Sequence, residues 1–313
     1  MKILVMGAGT IGAYYGARLQ QAGEEVVFCG RGENLRAMRE HGLEIRSIKG
    51  DFTLPQVAAT DNPAEFAPYD LILLCVKSYH TEQCARQIAG CLKPGAAVLT
   101  IQNGVENEAV LQQIVGRDAV LSGNARIFAA MPAPATVNHT GTGYIEFGEL
   151  DGRITERVRR AAEAFERAGI LGEIASDIFD RRWDKLIWNN GYNTVTVLTG
   201  RNLGILHDDP DMLRLMRNIM EEGEQVARAE GAKIAAGRID AILDFAAKNL
   251  RDSNSSTLQD LKRGRRLEYD AITGAVIRAA RRHGIAVPIT EALHALIKML
   301  DPAAGNGPAP AAN

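Results

Sequence analysis

The chain reads as an α/β protein, with an N-terminal Rossmann-type doubly wound sheet followed by an all-α C-terminal domain. Three observations carry that reading. The opening MKILVMGAGTIG places a short apolar run, Ile3 to Met6, directly before Gly7-Ala8-Gly9-Thr10-Ile11-Gly12 and the start of a helical pattern. Strand and helix signals then alternate through the first half, as in βαβ units closing on a parallel sheet. From about Ser176 the strand signals vanish and only helical periodicity is left.

Taken in order, the first strand feeds a glycine turn and a helix over about Thr10 to Gln21, broken at Gly23. Glu25 to Cys29 reads as the second strand and ends in Gly30-Arg31. After the next helix, Leu43 to Ile48 and Phe52 to Pro55 flank Lys49-Gly50-Asp51 as a hairpin. Leu71 to Val76 (LILLCV) is continuously apolar, as a parallel strand buried on both faces requires. A helix over about Thr81 to Leu92, a Pro94-Gly95 turn and the strand Ala97 to Ile101 follow. Val120 to Ala130 and Thr136 to Gly148 read as an antiparallel pair. Five helical stretches come next: Asp177 to Thr199, Asp211 to Glu230, Arg238 to Leu250, Thr257 to His283 and Ile289 to Leu300. This divides the chain into a dinucleotide-binding domain (1–173), a helical substrate domain (174–302) and a disordered tail (303–313) of Pro, Gly, Ala and Asn.

At 313 residues the chain exceeds one domain of typical size. Its 46% hydrophobic and 24% charged content is that of a soluble globular protein, and a net charge of −2 makes no electrostatic case for nucleic acid or an anionic membrane. No apolar run is long enough to span a bilayer. The first residues lack a basic leader with a cleavage site, so the expectation is cytoplasmic. Cys29, Cys75, Cys84 and Cys91 form no CxxC pair and read as buried thiols, and the histidines are scattered, so no metal is expected. The long amphipathic helices permit a homodimer without requiring one.

The glycine turn is the first chemical signal. Gly7 permits the tight turn, Gly9 lets the backbone approach a pyrophosphate, and Gly12 lets helix and strand pack closely. Free N–H groups and the positive end of the helix dipole would then hold the phosphates, with Gly7, Ala8, Gly9, Thr10, Ile11 and Gly12 as cofactor-binding residues. Arg31 stands where an NAD site usually carries an acid, which suits the 2′-phosphate of NADP. A solvated surface arginine is the bland alternative, and Glu33 lies close by. Lys77 and Gln102-Asn103-Gly104 follow two further strands, at the carboxyl edge where open α/β sheets bind ligands. Lys77 can reach a phosphate or ribose, and Asn103 a nicotinamide, ribose or substrate. Plainer readings are a solvated lysine and a simple turn.

Lys185, Asn189 and Asn193 stand at i, i+4 and i+8, on one face of a helix rich in apolar residues. Asn and Gly are poor helix formers, so Asn189-Asn190-Gly191 suggests a site, although asparagines bonding between helices beside an exposed lysine would read the same way. A lysine among apolar groups has its pKa lowered by desolvation, which suits a proton donor. Ser253, Asn254, Ser255 and Ser256 start a helix, where hydroxyls and N–H groups favour a carboxylate or merely cap the helix. Glu268 lies further along.

The joint pattern resembles the ketopantoate reductase family (2-dehydropantoate 2-reductases). The resemblance runs through GAGTIG, Lys77 after LILLCV, IQNG, NHTGTGYIEFGE, WDKLIWNNGYN, and SSTLQDLKRGRRLEYD with GIAVP, over roughly residues 1 to 300. It implies NADPH-dependent reduction of the 2-keto group of ketopantoate to pantoate, a step toward pantothenate and coenzyme A. It implies Lys185 as general acid and Asn103 between cofactor and substrate. Asn189 and Asn193 would bind the substrate's hydroxyl and carbonyl side, with Asn202 as a further asparagine matched across a one-residue gap. Ser256 would take the carboxylate, Glu268 would contact the cofactor and help position the lysine, and Ala130 would give a backbone contact to the cofactor. Thr194 stands where the family often has proline, and Ala271 and Thr273 replace bulkier or more polar residues. These departures bear on the identity of the 2-keto acid, with other branched or aromatic 2-keto acids as alternatives. A non-catalytic NADP-binding sensor is the reading from another class.

Overall fold

A computed structural model describes residues 1–304. They form two compact units, Met1–Gln102 with Glu106–Phe179, and Asn103–Val105 with the chain from Asp180 onward. The sequence reading starts the second domain at residue 174. The units divide six residues later, between Phe179 and Asp180, near the start of a continuous helix.

In the first unit the elements are β1 (Lys2–Met6), α1 (Thr10–Gln21), β2 (Glu25–Cys29), α2 (Gly32–His41), β3 (Leu43–Ser47), β4 (Phe52–Leu54), β5 (Ala58–Thr60), β6 (Tyr69–Leu74), α3 (Thr81–Ile88), β7 (Leu92–Thr100), α4 (Asn107–Val115), β8 (Val120–Ala133), β9 (Thr136–Glu149), α5 (Glu156–Arg167) and β10 (Leu171–Ile174). One sheet runs in the order β4-β3-β9-β8-β7-β6-β1-β2-β5, with β10 added to β9. The segment β8-β7-β6-β1-β2-β5 is parallel, and the antiparallel β8–β9 pair extends it. Strand alternation sorts β1 between two faces: Ile3 and Val5 pack with Ala13, Tyr14 and Ala17 of α1, while Leu4 and Met6 pack with Cys84, Ala85 and Ile88 of α3.

The sequence reading placed most of these elements and missed β5, α4, α5 and β10. Two boundaries differ for local reasons. Helix α3 stops at Ile88 instead of Leu92, because Gly90 turns the backbone to φ +83°. The expected Pro94-Gly95 turn is a bulge inside β7, since Leu92 pairs with Tyr69 but Ala97 already pairs with Leu71.

The second unit is helical: α6 (Ile178–Thr199), α7 (Leu203–Asp208), α8 (Pro210–Ala229), α9 (Arg238–Asn249), α10 (Ser256–Lys262), a π turn (Asp270–Gly274), α11 (Ala275–His283) and α12 (Pro288–Leu300). Trp183, Leu186 and Ile187 of α6 pack with Met216, Ile219 and Met220 of α8. A Cβ at Gly191 would lie 2.4 Å from Met220 Cε, so that glycine lets the two helices close up. The long helix expected over Thr257 to His283 is broken. Gly264 at φ +62° ends α10, and residues 265–268 cross as loop before the π turn.

No described helix is long and apolar enough to cross a membrane. The expected tail lies outside the described residues from Gly305 on. Ala303 and Ala304, expected within it, belong to the 3-10 turn Pro302–Ala304. Buried Asp301 secures that turn, accepting from Ala303 N at 3.2 Å and Leu267 N at 3.0 Å.

Candidate active site

The glycine turn divides its labour. Gly7 has φ +104°, and a Cβ there would meet Val76 N at 2.7 Å. A Cβ on Gly12 would sit 2.3 Å from the Gly7 carbonyl oxygen, so α1 can approach β1 only without one. At Gly9 a Cβ would meet nothing within 4 Å. That open face at the N-cap of α1, which no side chain caps, is the cradle a pyrophosphate fits. The expectation needs correction at two positions. The N–H groups of Gly7 and Ala8 both donate to the Cys29 carbonyl, at 3.0 and 2.9 Å, so they tie β1 to β2 and are not free for a ligand. Asn34 of α2, not singled out from sequence, donates to the Ala8 carbonyl and accepts from Ala135 N at 2.7 Å.

Arg31 caps the start of α2 and is exposed. Its Nη2 lies 2.8 Å from His80 Nε2. A guanidinium only donates, so His80 accepts there as the neutral Nδ1–H tautomer. Two basic side chains from different strand tips thus meet at one spot, a second feature sequence reasoning missed. Glu33, the competing acid, pairs with Arg36. Lys77, half-buried, follows β6 in a loop held by buried Gln102, whose Nε2 donates to the Val76 carbonyl and to Thr81 Oγ1, both at 2.9 Å. Ala130 is half-buried on β8, opposite Asn138.

In the second unit, α6 carries Lys185, Asn189 and Asn193 on one face, and Thr196 extends that face at i+3 from Asn193. Lys185 is half-buried, while Asn189 and Asn193 are buried. Thr196 Oγ1 lies 2.6 Å from Ser255 Oγ, which aims the ladder face at the segment Ser253–Ser256. Asn193 Nδ2 is buried without a hydrogen-bond partner. Leaving such a donor unmet costs about 1–3 kcal/mol, so a ligand oxygen is its natural complement. The neighbouring Asn190 does the plainer job foreseen for asparagines here, donating to the Ile219 carbonyl at 3.1 Å.

The four residues at the start of α10 separate in role. Ser255 turns inward, accepting from Leu258 N at 3.1 Å as the helix cap, whereas Ser256 is exposed. Ser253 and Asn254 are half-buried, with the Ser253 carbonyl accepting from Leu203 N and the Asn254 carbonyl from Gln259 Nε2. Asn202 caps α7, its Oδ1 accepting from Ile205 N at 3.1 Å. Glu268 is buried at the end of the loop before the π turn. Asn103 groups with this unit: Gly104, at φ +94°, sits against Ala271, and its carbonyl accepts from the buried Arg182 guanidinium.

The chain matches the family described as ketopantoate reductase PanE/ApbA over residues 3–152, and its C-terminal counterpart over residues 177–301. It is 34% identical over 300 residues to a 2-dehydropantoate 2-reductase of Halobacterium salinarum, covering 96% of this chain and 98% of that one. Among solved structures, a 2-dehydropantoate 2-reductase from Geobacter metallireducens is 34% identical with a TM-score of 0.90, covering 96% of this chain and 99% of that one. A D-mandelate dehydrogenase solved with NADH and anilino(oxo)acetate shares the fold at 24% identity and a TM-score of 0.90, covering 97% of this chain and 100% of that one. With both halves matched in order and near full-length coverage, the chain is an oxidoreductase of the ketopantoate reductase family.

Proposed function

We propose that this protein reduces 2-dehydropantoate to pantoate with NADPH, in the cytoplasm, as a step toward pantothenate and coenzyme A. The observation that carries the reading is the buried polar face of α6, where the unmet Nδ2 donor of Asn193 lies along one helix stripe with Lys185 and Asn189. An apolar helix that buries an unpaired amide is built for an oxygen-rich guest. Family membership says which guest to try first.

Bound NADPH supplies the hydride for C2 of the keto acid. Gly9 and the first turn of α1 hold its pyrophosphate, Arg31 takes its 2′-phosphate, and Lys77 and the Ala130 backbone contact its remainder. The Lys185 ammonium stabilises charge on the substrate's C2 oxygen and donates the proton, a contribution of about 2–4 kcal/mol to the barrier for one preorganised donor. Asn189 and Asn193 orient the hydroxyl and carbonyl side, with Asn103 and Asn202 alongside. Ser256, supported by Ser253, Asn254 and the buried cap Ser255, receives the carboxylate. Glu268 helps position Lys185.

A steady-state panel of ketopantoate, 2-ketoisovalerate and phenylpyruvate with NADPH and NADH tests the assignment. The highest kcat/KM is expected for ketopantoate with NADPH. A preference for phenylpyruvate would move the substrate to an aromatic 2-keto acid. Tight NADPH binding with no turnover of any 2-keto acid would point to a sensor instead.

A further inference from the structure

The helix that follows Glu268 opens on the π turn Asp270–Gly274. In π geometry a carbonyl accepts from the fifth residue on, which makes this turn wider than an α-helical one. The Thr273 hydroxyl donates back to the Tyr269 carbonyl four residues earlier, with Oγ1 2.9 Å from that oxygen. Its one proton used there, the hydroxyl must accept at its 2.8 Å contact with His294 Nδ1. The imidazole of α12 therefore donates to Thr273, which donates to Tyr269. The Tyr269 and His294 rings also meet edge to face, with centroids 5.1 Å apart.

The π turn touches two site segments. Glu268 precedes it by two residues in the chain, and the Ala271 carbonyl oxygen lies where a Cβ on Gly104 would come within 2.8 Å of it. Gly104 is the residue after Asn103, and Arg182 holds its carbonyl. Movement of the π turn would thus displace the backbone of Glu268 and of Asn103 together. π turns inside helices are frequent at functional sites, since the extra residue redirects the side chains around it.

We propose that Thr273 and His294 are positioning residues for the reduction, holding the π turn so that Glu268 and the Asn103-Gly104 loop keep their places. This rests on the reductase activity proposed above. Thr273→Val removes the hydroxyl at constant shape, Thr273→Ser restores it, and His294→Leu removes the outer donor. In the full-length protein Thr273→Val and His294→Leu should each lower kcat about tenfold, the effect of one lost orienting hydrogen bond. NADPH Kd, read by fluorescence, should stay within about twofold. Thr273→Ser should recover most of the rate. Adding Thr273→Val to Glu268→Gln should cost little further, since the two act through one group. Amide hydrogen exchange over residues 103–105 and 268–275 should quicken in Thr273→Val without ligand.

A Thr273→Val protein with wild-type kcat, or a Thr273→Ser protein as slow as Thr273→Val, would overturn the positioning role. If the wild-type protein turned over no 2-keto acid, the proposed function would fail, and the exchange measurement would decide this point by itself. Quickened exchange in both segments would uphold the relay, and unchanged exchange would overturn it.

Discussion

Lys185 sits half-buried on α6, whose Trp183 and Leu186 are buried in the core of the second unit. In its proposed role as proton donor, replacement by alanine should lower kcat by about 10²–10⁴-fold, the usual value of a positioned acid, with NADPH binding nearly unchanged. Stopped-flow turnover alongside a fluorescence titration separates the two quantities, and an unaltered kcat would take the acid role from it. Arg31 answers a different question. Its 2.8 Å contact with a neutral His80 leaves the rest of the guanidinium fork for an anion. Arg31→Ala should weaken NADPH by about 10–100-fold, as loss of charge-assisted hydrogen bonds does, and leave NADH almost as before. Equal losses for both cofactors would mean that the arginine does not read the 2′-phosphate.

At the scale of elements, the glycine turn separates packing from binding. Gly12→Ala forces a Cβ to 2.3 Å from the Gly7 carbonyl oxygen, so α1 must move away from β1. That variant should lose several degrees of Tm together with cofactor affinity. Gly9→Ala meets no protein atom and should keep its Tm while binding NADPH more weakly, which thermal scans with and without cofactor would distinguish. Such roles were partly legible in advance. The βα turn, the apolar β6 and the i, i+4, i+8 ladder of α6 are patterns of spacing, and spacing is what a sequence displays directly. Asn34 and His80 were not visible, because each works through a partner more than 25 residues away. The break at residues 265–268 hid behind charged residues that suit a helix face as well as a loop, with only Gly264 to mark it. Ser255 and Ser256, identical in the sequence, part company once one becomes the cap and is buried against Thr196.

Across the whole molecule, ionisable groups are shared unevenly. In the first unit, Glu24 is buried, which alone would raise its pKa, yet the N-terminal ammonium and Arg167 hold it below the ordinary carboxylate range. Burial likewise opposes, and Arg157 with Thr155 overcomes it, at Glu149, while Lys2 N–H and Lys93 do the same at Asp70. A depressed folded pKa means stability that is complete above the unfolded value near 4.5 and drains away as pH falls below it. In the second unit, Arg251 likewise holds Asp208 below its ordinary range, at the surface. Burial pushes His139 of the first unit and His207 and His294 of the second below 6.5, so both units weaken mildly as pH drops through that value. The steeper loss below about pH 4.5 should fall on the first unit. Trp183 and Trp188, the two tryptophans of the chain, both lie in the second unit. Acid titration should therefore abolish the strand signal in far-ultraviolet circular dichroism before tryptophan emission shifts. The reverse order would contradict the assignment.

Three residues of the first half, Asn103–Val105, group with the helical unit that resumes at Asp180. The chain thus visits its second unit early, returns to finish the sheet, and comes back for good. A fragment starting at Asp180 would be born without one of its own pieces: the buried Arg182 guanidinium would lose the Gly104 carbonyl as an acceptor, and Ala271 would face an empty socket. Cutting the gene at the domain junction would therefore yield halves that each lack something, and a circular permutant that keeps residues 102–106 continuous is the safer way to relocate the ends.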